Sequence, residues 1–203
     1  MLYYRNRPVK THRPSSVSER FFQWRSFDSK SDDILIQEIE ATFEHVKTET
    51  RTEEYFLLPG RRNVMPRMID NETFEVRSLL NDNEPIELWE RSVKTKFPMK
   101  RSVSARIGCA LPKLRASFNS VATPDSLSEA LQRKSKYYKA SKTRRLYQKG
   151  KMTAEISTLE IDGETQTSVA IQCIEKEPIS RLVKKLKLKK ADNTNFVDYL
   201  LAS

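Results

Sequence analysis

Gln37-Glu38-Ile39-Glu40-Ala41-Thr42-Phe43 alternates charged or polar side chains with apolar ones, and its reading decides the fold. Side chains of a strand point to opposite faces in turn, so Glu38, Glu40 and Thr42 would share one face and Ile39, Ala41 and Phe43 the other. The pattern returns at Phe74-Glu75-Val76-Arg77-Ser78-Leu79, at Ile86-Glu87-Leu88-Trp89 and at Met152-Thr153-Ala154-Glu155-Ile156-Ser157. An antiparallel sheet with one wet face reads this way, and so does a barrel with a polar lumen. A lumen carrying both carboxylates and guanidinium groups would have to hold something.

Working outward, strands are expected over Ile34–Val46, Glu53–Leu58, Val64–Ile69, Thr73–Leu80, Ile86–Lys96, Arg101–Cys109, Thr143–Gln148, Met152–Ile161 and Gln166–Ile174. Asp70-Asn71 and Asp162-Gly163 read as hairpin turns. A helix is expected after Thr123-Pro124, where Ser126 and Glu129 resemble a capping box. Further helices are expected over Ile179–Leu188 and over Thr194–Leu201, the last capped by Asn193. The sum is α+β, one large antiparallel sheet or barrel with helices packed outside.

The chain has 203 residues, which suits one domain or one domain with a tail. Residues 1 to 33 read as a basic arm before a domain over 34–203, and a short helix fits 16–27 through Val17, Phe21 and Trp24. Arg5, Arg7, Lys10 and Arg13 precede the first acid, Glu19; a disordered arm has this composition, and so does an organellar transit peptide. No run approaches roughly 18 apolar residues, so no membrane span is expected. Cys109 and Cys173 cannot build a disulfide framework, and free thiols in a cytoplasmic protein are the expectation. A net charge of +10 points to an anionic partner.

No HExxH, CxxC, GxGxxG or GxxxxGK[ST] motif is present, and the histidines are His12 and His45 alone. Zinc sites and serine–histidine catalysis therefore have no candidates. What remains is oxygen ligands and cations. Glu38 and Glu40 would project together about 7 Å apart, a costly like-charge pair unless a cation neutralises it. Such hard oxygens suit Mg²⁺ or Mn²⁺, which complete their shells with water and substrate phosphates. Arg67, Arg77, Lys94, Lys142 and Arg144 lie on other expected strands, and Arg grips phosphate oxygens in pairs. A basic surface that binds nothing specific is the bland alternative. Nucleic acid held by the arm and by Tyr137 and Tyr138 is another.

The order of these motifs resembles the CYTH superfamily, the triphosphate tunnel metalloenzymes. It runs Glu-x-Glu strand, Arg strand, a pair with basic and acidic residues, helix, Lys-x-Arg strand, acidic strand, and a final Asn193-Thr194-Asn195-Phe196-Val197-Asp198-Tyr199-Leu200. The resemblance covers residues 34 to 201 and implies a tunnel of about eight antiparallel strands with helices outside. The family's opening ExExK would match Glu38 to Thr42, with threonine in place of lysine. Glu38, Glu40 and Glu155 would then be catalytic and hold Mg²⁺ or Mn²⁺. Arg67, Arg77, Lys94, Lys142 and Arg144 would hold the phosphates. Where the family's last acidic strand reads Glu-x-Glu, this chain has Ala170-Ile171-Gln172. The implied activity is metal-assisted hydrolysis of tripolyphosphate or an organic triphosphate, and the alternative is a phosphate- or nucleotide-binding barrel with impaired catalysis.

Overall fold

The computed structural model describes residues 19–111 and 123–202. Eight strands, all paired antiparallel, close into a barrel in the order β1-β5-β4-β3-β2-β6-β7-β8. They are β1 (Glu19–Phe27), β2 (Glu44–Leu57), β3 (Val64–Ile69), β4 (Thr73–Asn81), β5 (Glu87–Lys96), β6 (Lys136–Lys149), β7 (Met152–Ile161) and β8 (Glu164–Cys173). The helices are α1 (Lys30–Thr42), α2 (Arg101–Ala110), α3 (Pro124–Gln132), α4 (Lys176–Lys185) and α5 (Phe196–Ala202). The closed α+β barrel expected from the alternating segments is therefore present. No described helix is long and apolar enough to cross a membrane, and both cysteines are free.

Local chemistry explains the turns. Asp70 and Asn71 both have φ of 51°, as a two-residue hairpin of mirror-image type requires, and they join β3 to β4. Asp162 (φ 53°) and Gly163 (φ 85°) do the same between β7 and β8. Thr123 caps α3 by accepting from Ser126 N–H, with Pro124 in the first turn. The box partner is Ser126 itself rather than Glu129.

Three expected elements change type. The helix drawn over 16–27 is strand β1 over its described part; residues 1–18 lie outside the described chain. Phe21 and Trp24 sit three apart and would share a helix face. In β1 they take opposite sides, Phe21 among the lumen side chains and Trp24 among those under the helices. The aromatic run 21–24 suits a strand that is paired on both edges. The strand drawn over Ile34–Val46 is helix α1 up to Thr42, and β2 begins at Glu44. Ser29 and Asp32 form a capping box there, and Leu35 and Ile39, four apart, bury one helical face. Arg101–Cys109 is helix α2, whose Ile107 packs against the barrel wall. The final helix starts at Phe196, with Asn195 Oδ1 accepting from Asp198 N–H at 3.0 Å, while Asn193 Oδ1 instead accepts from Arg25 N–H at 2.9 Å.

The outer wall carries two apolar layers. Trp24, Ala154, Ile156, Val169 and Ile171 pack under α1 and α4, while Phe56, Met68, Phe74, Val76 and Val93 pack under α2 and α3. A third cluster lies inside. Tyr55, Leu57, Met65, Trp89, Tyr138, Leu159 and Ile161 meet Phe196, Val197 and Leu200 of α5, which shuts that end of the barrel. Tyr138 Oη donates to the Leu200 carbonyl at 2.5 Å, and Asn195 Nδ2 donates to buried Glu87 at 2.9 Å.

Candidate functional site

Above the α5 plug the inward positions turn from apolar to charged. A cavity of about 320 Å³ remains there, opening to solvent beside the exposed Val46, Lys94 and Gln148. Its wall carries eight cationic side chains, Arg25, Arg51, Arg67, Arg77, Arg91, Lys94, Lys142 and Arg144, against two carboxylates, Glu75 and Glu155. Strand parity puts them there: Lys142 and Arg144 alternate on β6, Glu75 and Arg77 on β4, and Arg25 faces in from β1. On β5 both Arg91 and Lys94 face in although they are three apart. An irregularity in the β4–β5 pairing between Val76 and Arg77 shifts the register, so that Glu75 opposes Lys94 and Arg77 opposes Arg91.

Glu155, Glu75 and Glu53 are each wrapped by cations. Glu155 accepts from Lys142 Nζ at 2.7 Å, from Arg25 Nη2 at 3.2 Å and from Arg144 Nη1 at 2.9 Å. Glu75 accepts from Arg67 Nη2 at 2.8 Å and from Arg77, with Arg91 Nε 3.1 Å from its other oxygen. Glu53, fully buried just below, binds Arg67 Nη1 at 3.0 Å, Arg51 and the Tyr55 hydroxyl. Burial would raise these three carboxyls, but the surrounding charges win and hold all three well below the usual carboxylate range. Arg67, Lys142 and Arg51 do so for Glu53, Arg67, Arg77 and Arg91 for Glu75, and Lys142, Arg25 and Arg144 for Glu155. Burial, with Arg25 and Arg51 nearby, brings Lys142 down to about 8 against the pull of Glu155 and Glu53.

The structure thus brings Arg67, Arg77, Lys94, Lys142, Arg144 and Glu155 around one cavity. Glu38 and Glu40 are not among them. They lie on α1 outside the barrel, Glu38 paired with Lys185 at 2.7 Å and Glu40 with Arg145 at 2.5 Å. An i, i+2 pair shares a face on a strand but diverges on a helix, and the segment is a helix. The chain's first barrel strand is β1, whose buried inward residues include Phe21, Gln23 and Arg25. Sequence reasoning missed Arg25 because its segment was read as a helix, and missed Arg91 because the register shift is not visible locally. Arg51, Glu53 and Tyr55 do alternate, and that signal was legible. Tyr137 and Tyr138 offer no stacking platform: Tyr138 is buried under α5 and Tyr137 packs on Phe56.

A resident divalent metal does not fit this donor set. Mg²⁺ and Mn²⁺ want carboxylates that converge with free oxygens, and no group of three His, Cys, Asp or Glu capable of holding a metal occurs among the described residues. Glu155, the one expected metal ligand that reaches the lumen, has three protein cations on its two oxygens.

No family model and no curated protein matches the chain. Among solved structures it is similar to the PH1012 protein from Pyrococcus horikoshii OT3, with a TM-score of 0.55 and 16% identity over 87% of this chain and 97% of that one. A conserved hypothetical protein from Pyrococcus furiosus gives 0.54 and 19%, covering 87% and 98%. A putative adenylyl cyclase from Hippeastrum, described as having a dominant triphosphatase activity, superposes less well, at 0.46 and 12%, covering 86% and 88%. At these identities the first two likenesses establish a shared fold, and the function has to be argued from the side chains of this lumen.

Proposed function

We propose that the barrel binds a short phosphate chain, inorganic tripolyphosphate or the triphosphate of an organic ester, in its cation-lined cavity. The observation that carries this reading is an excess of positive charge: eight cations line a space of about 320 Å³, and they pair with five carboxylates, Glu75 and Glu155 on its wall and Glu19, Glu49 and Glu53 beside it. Like charges held this close in a half-buried site repel one another, and an anion rich in acceptor oxygens relieves them. The guanidinium groups come from β1 to β5, with Arg144 on β6, so donors meet the ligand from six of the eight strands. Planar guanidinium forks bind neighbouring phosphate oxygens in pairs, and Lys94 and Lys142 add point charges.

Binding, not turnover, is what these residues support. Attack of water on phosphorus needs an oriented nucleophile and a centre that offsets developing charge. The carboxylates of the cavity wall, Glu75 and Glu155, are engaged by cations, and His45 lies outside the cavity bonded to Thr48. Calorimetric titration with tripolyphosphate and, separately, orthophosphate is the test. Affinity for the chain at least ten times that for orthophosphate supports the reading, and equal weak binding of both sinks it. A phosphate-release assay on the same samples would expose hydrolysis.

A further inference from the structure

We propose that this lumen takes its phosphate chain free of divalent metal, so that Mg²⁺ and Mn²⁺ compete with the protein for the ligand instead of bridging the two. The inference rests on the reading of the cavity as a phosphate-chain site and specifies the form of ligand it accepts. It starts from β1, whose buried inward residues include Gln23 and Arg25, while the carboxylate on that face, Glu19, is exposed and paired with Arg91. Arg25 is only 3% exposed, with its guanidinium carbon 4.7 Å above the Phe196 ring at the cavity floor. The protein therefore places a permanent cation of its own low in the lumen, where it touches Glu155 and Ser168.

The carboxylates give a metal nothing to hold. To bind Glu155 a divalent ion would have to displace Lys142, Arg25 and Arg144, and then sit beside all three. Glu75 presents the same obstacle through Arg67, Arg77 and Arg91. Breaking such buried pairs leaves uncompensated charge, which is strongly unfavourable.

The donors point the same way. Arg25 Nε and Arg51 Nε are buried and have no hydrogen-bond partner, and Arg91 Nε reaches Glu75 only as an ion pair, off hydrogen-bond geometry. Buried N–H groups call for acceptors. A bare phosphate chain offers all its oxygens to the cavity's guanidinium groups, whereas a chelated chain has some of its oxygens on the metal and carries less negative charge. Each charge-assisted contact withheld weakens binding.

The experiment is a calorimetric titration of the intact protein with tripolyphosphate at constant ionic strength, in EDTA and at increasing Mg²⁺. The apparent affinity should fall at least tenfold once most of the ligand is chelated, while the affinity computed on the metal-free anion stays constant. Mn²⁺ alone should give no saturable heat. Tighter binding with Mg²⁺, or affinity that follows the chelate concentration, overturns the inference and leaves the phosphate-chain reading standing. Binding in neither condition overturns both. An Arg25→Gln variant, checked for a native melting transition, should lose affinity for the free chain at least tenfold and gain no affinity from Mg²⁺; restored binding in Mg²⁺ would also count against the inference.

Discussion

The two halves of the barrel interior obey different physics. Toward α5, Tyr55, Met65, Trp89, Tyr138 and Leu159 enclose Phe196 and Leu200, and stability there comes from apolar area taken out of water. Toward the mouth, the same strands two to four residues further along present Glu53, Arg67, Arg91, Lys142 and Glu155, where cations matched to Glu53 and Glu155 offset their desolvation. Phe196 is the boundary: Tyr55 stacks on it at 5.0 Å from below the charged layer, while Arg25 and Lys142 rest over its face at 4.7 and 4.9 Å. A well-packed apolar lumen of similar volume would be at least as stable as these ion pairs. The charged half is thus better explained by an anionic ligand than by the needs of folding.

The comparison can be broken by removing one member from each half. Glu155→Ala leaves Lys142, Arg25 and Arg144 without their shared counter-charge, and stability in urea should fall by about 3–5 kcal/mol. Added tripolyphosphate should recover more of that loss than it adds to the wild type, because the ligand then supplies the missing negative charge. Leu200→Ala, in the plug, should cost about 2–4 kcal/mol through cavity formation, and its response to tripolyphosphate should match the wild type. If both variants respond alike, the halves are not functionally distinct.

A smaller effect sharpens the mouth. Arg144→Ala should weaken tripolyphosphate binding by about one to two decades, since a charge-assisted contact is worth roughly 1.5–3 kcal/mol. Lys187→Ala, on the exposed segment after α4, should change it little. Equal losses in calorimetry would mean that diffuse surface charge binds the anion.

Titration separates the halves again. Lys142 sits at about 8, so chain binding should weaken as pH rises through that value and the ammonium loses its proton. A bound anion would raise that value, so the midpoint should move upward with ligand. Glu53, Glu75 and Glu155 are depressed in the fold, so their contribution to stability is fully present above the ordinary carboxylate value and lost as pH falls below it. Urea midpoints measured from pH 6 downward should decline below about 4.5. A flat acid limb would show that the carboxylates are not held as ions.

The smallest expected effect belongs to Glu38→Ala with Glu40→Ala. Both residues make ion pairs on the outside of the barrel, so stability should change by less than about 1 kcal/mol. Tripolyphosphate affinity should not move; a large loss would relocate the site to α1.

By itself the sequence determined what is local. Two-residue periodicity marked β3, β4, β7 and β8, and Asp70-Asn71 and Asp162-Gly163 marked their turns, because side-chain alternation and φ preference act within a few residues. Arg67, Arg77, Lys142 and Arg144 were readable as one inward set for the same reason. Glu38-x-Glu40 was not, since an alternating segment of that length also satisfies a helix, and the Ser29–Asp32 box with buried Leu35 and Ile39 selects the helix. Tertiary structure alone decided that β1 joins β5 to β8 and closes the barrel, which brings Arg25 beside Glu155, 130 positions away. It also decided which carboxylates lose their freedom, because ion pairing across strands depends on register and closure, and neither is written in any short stretch of chain.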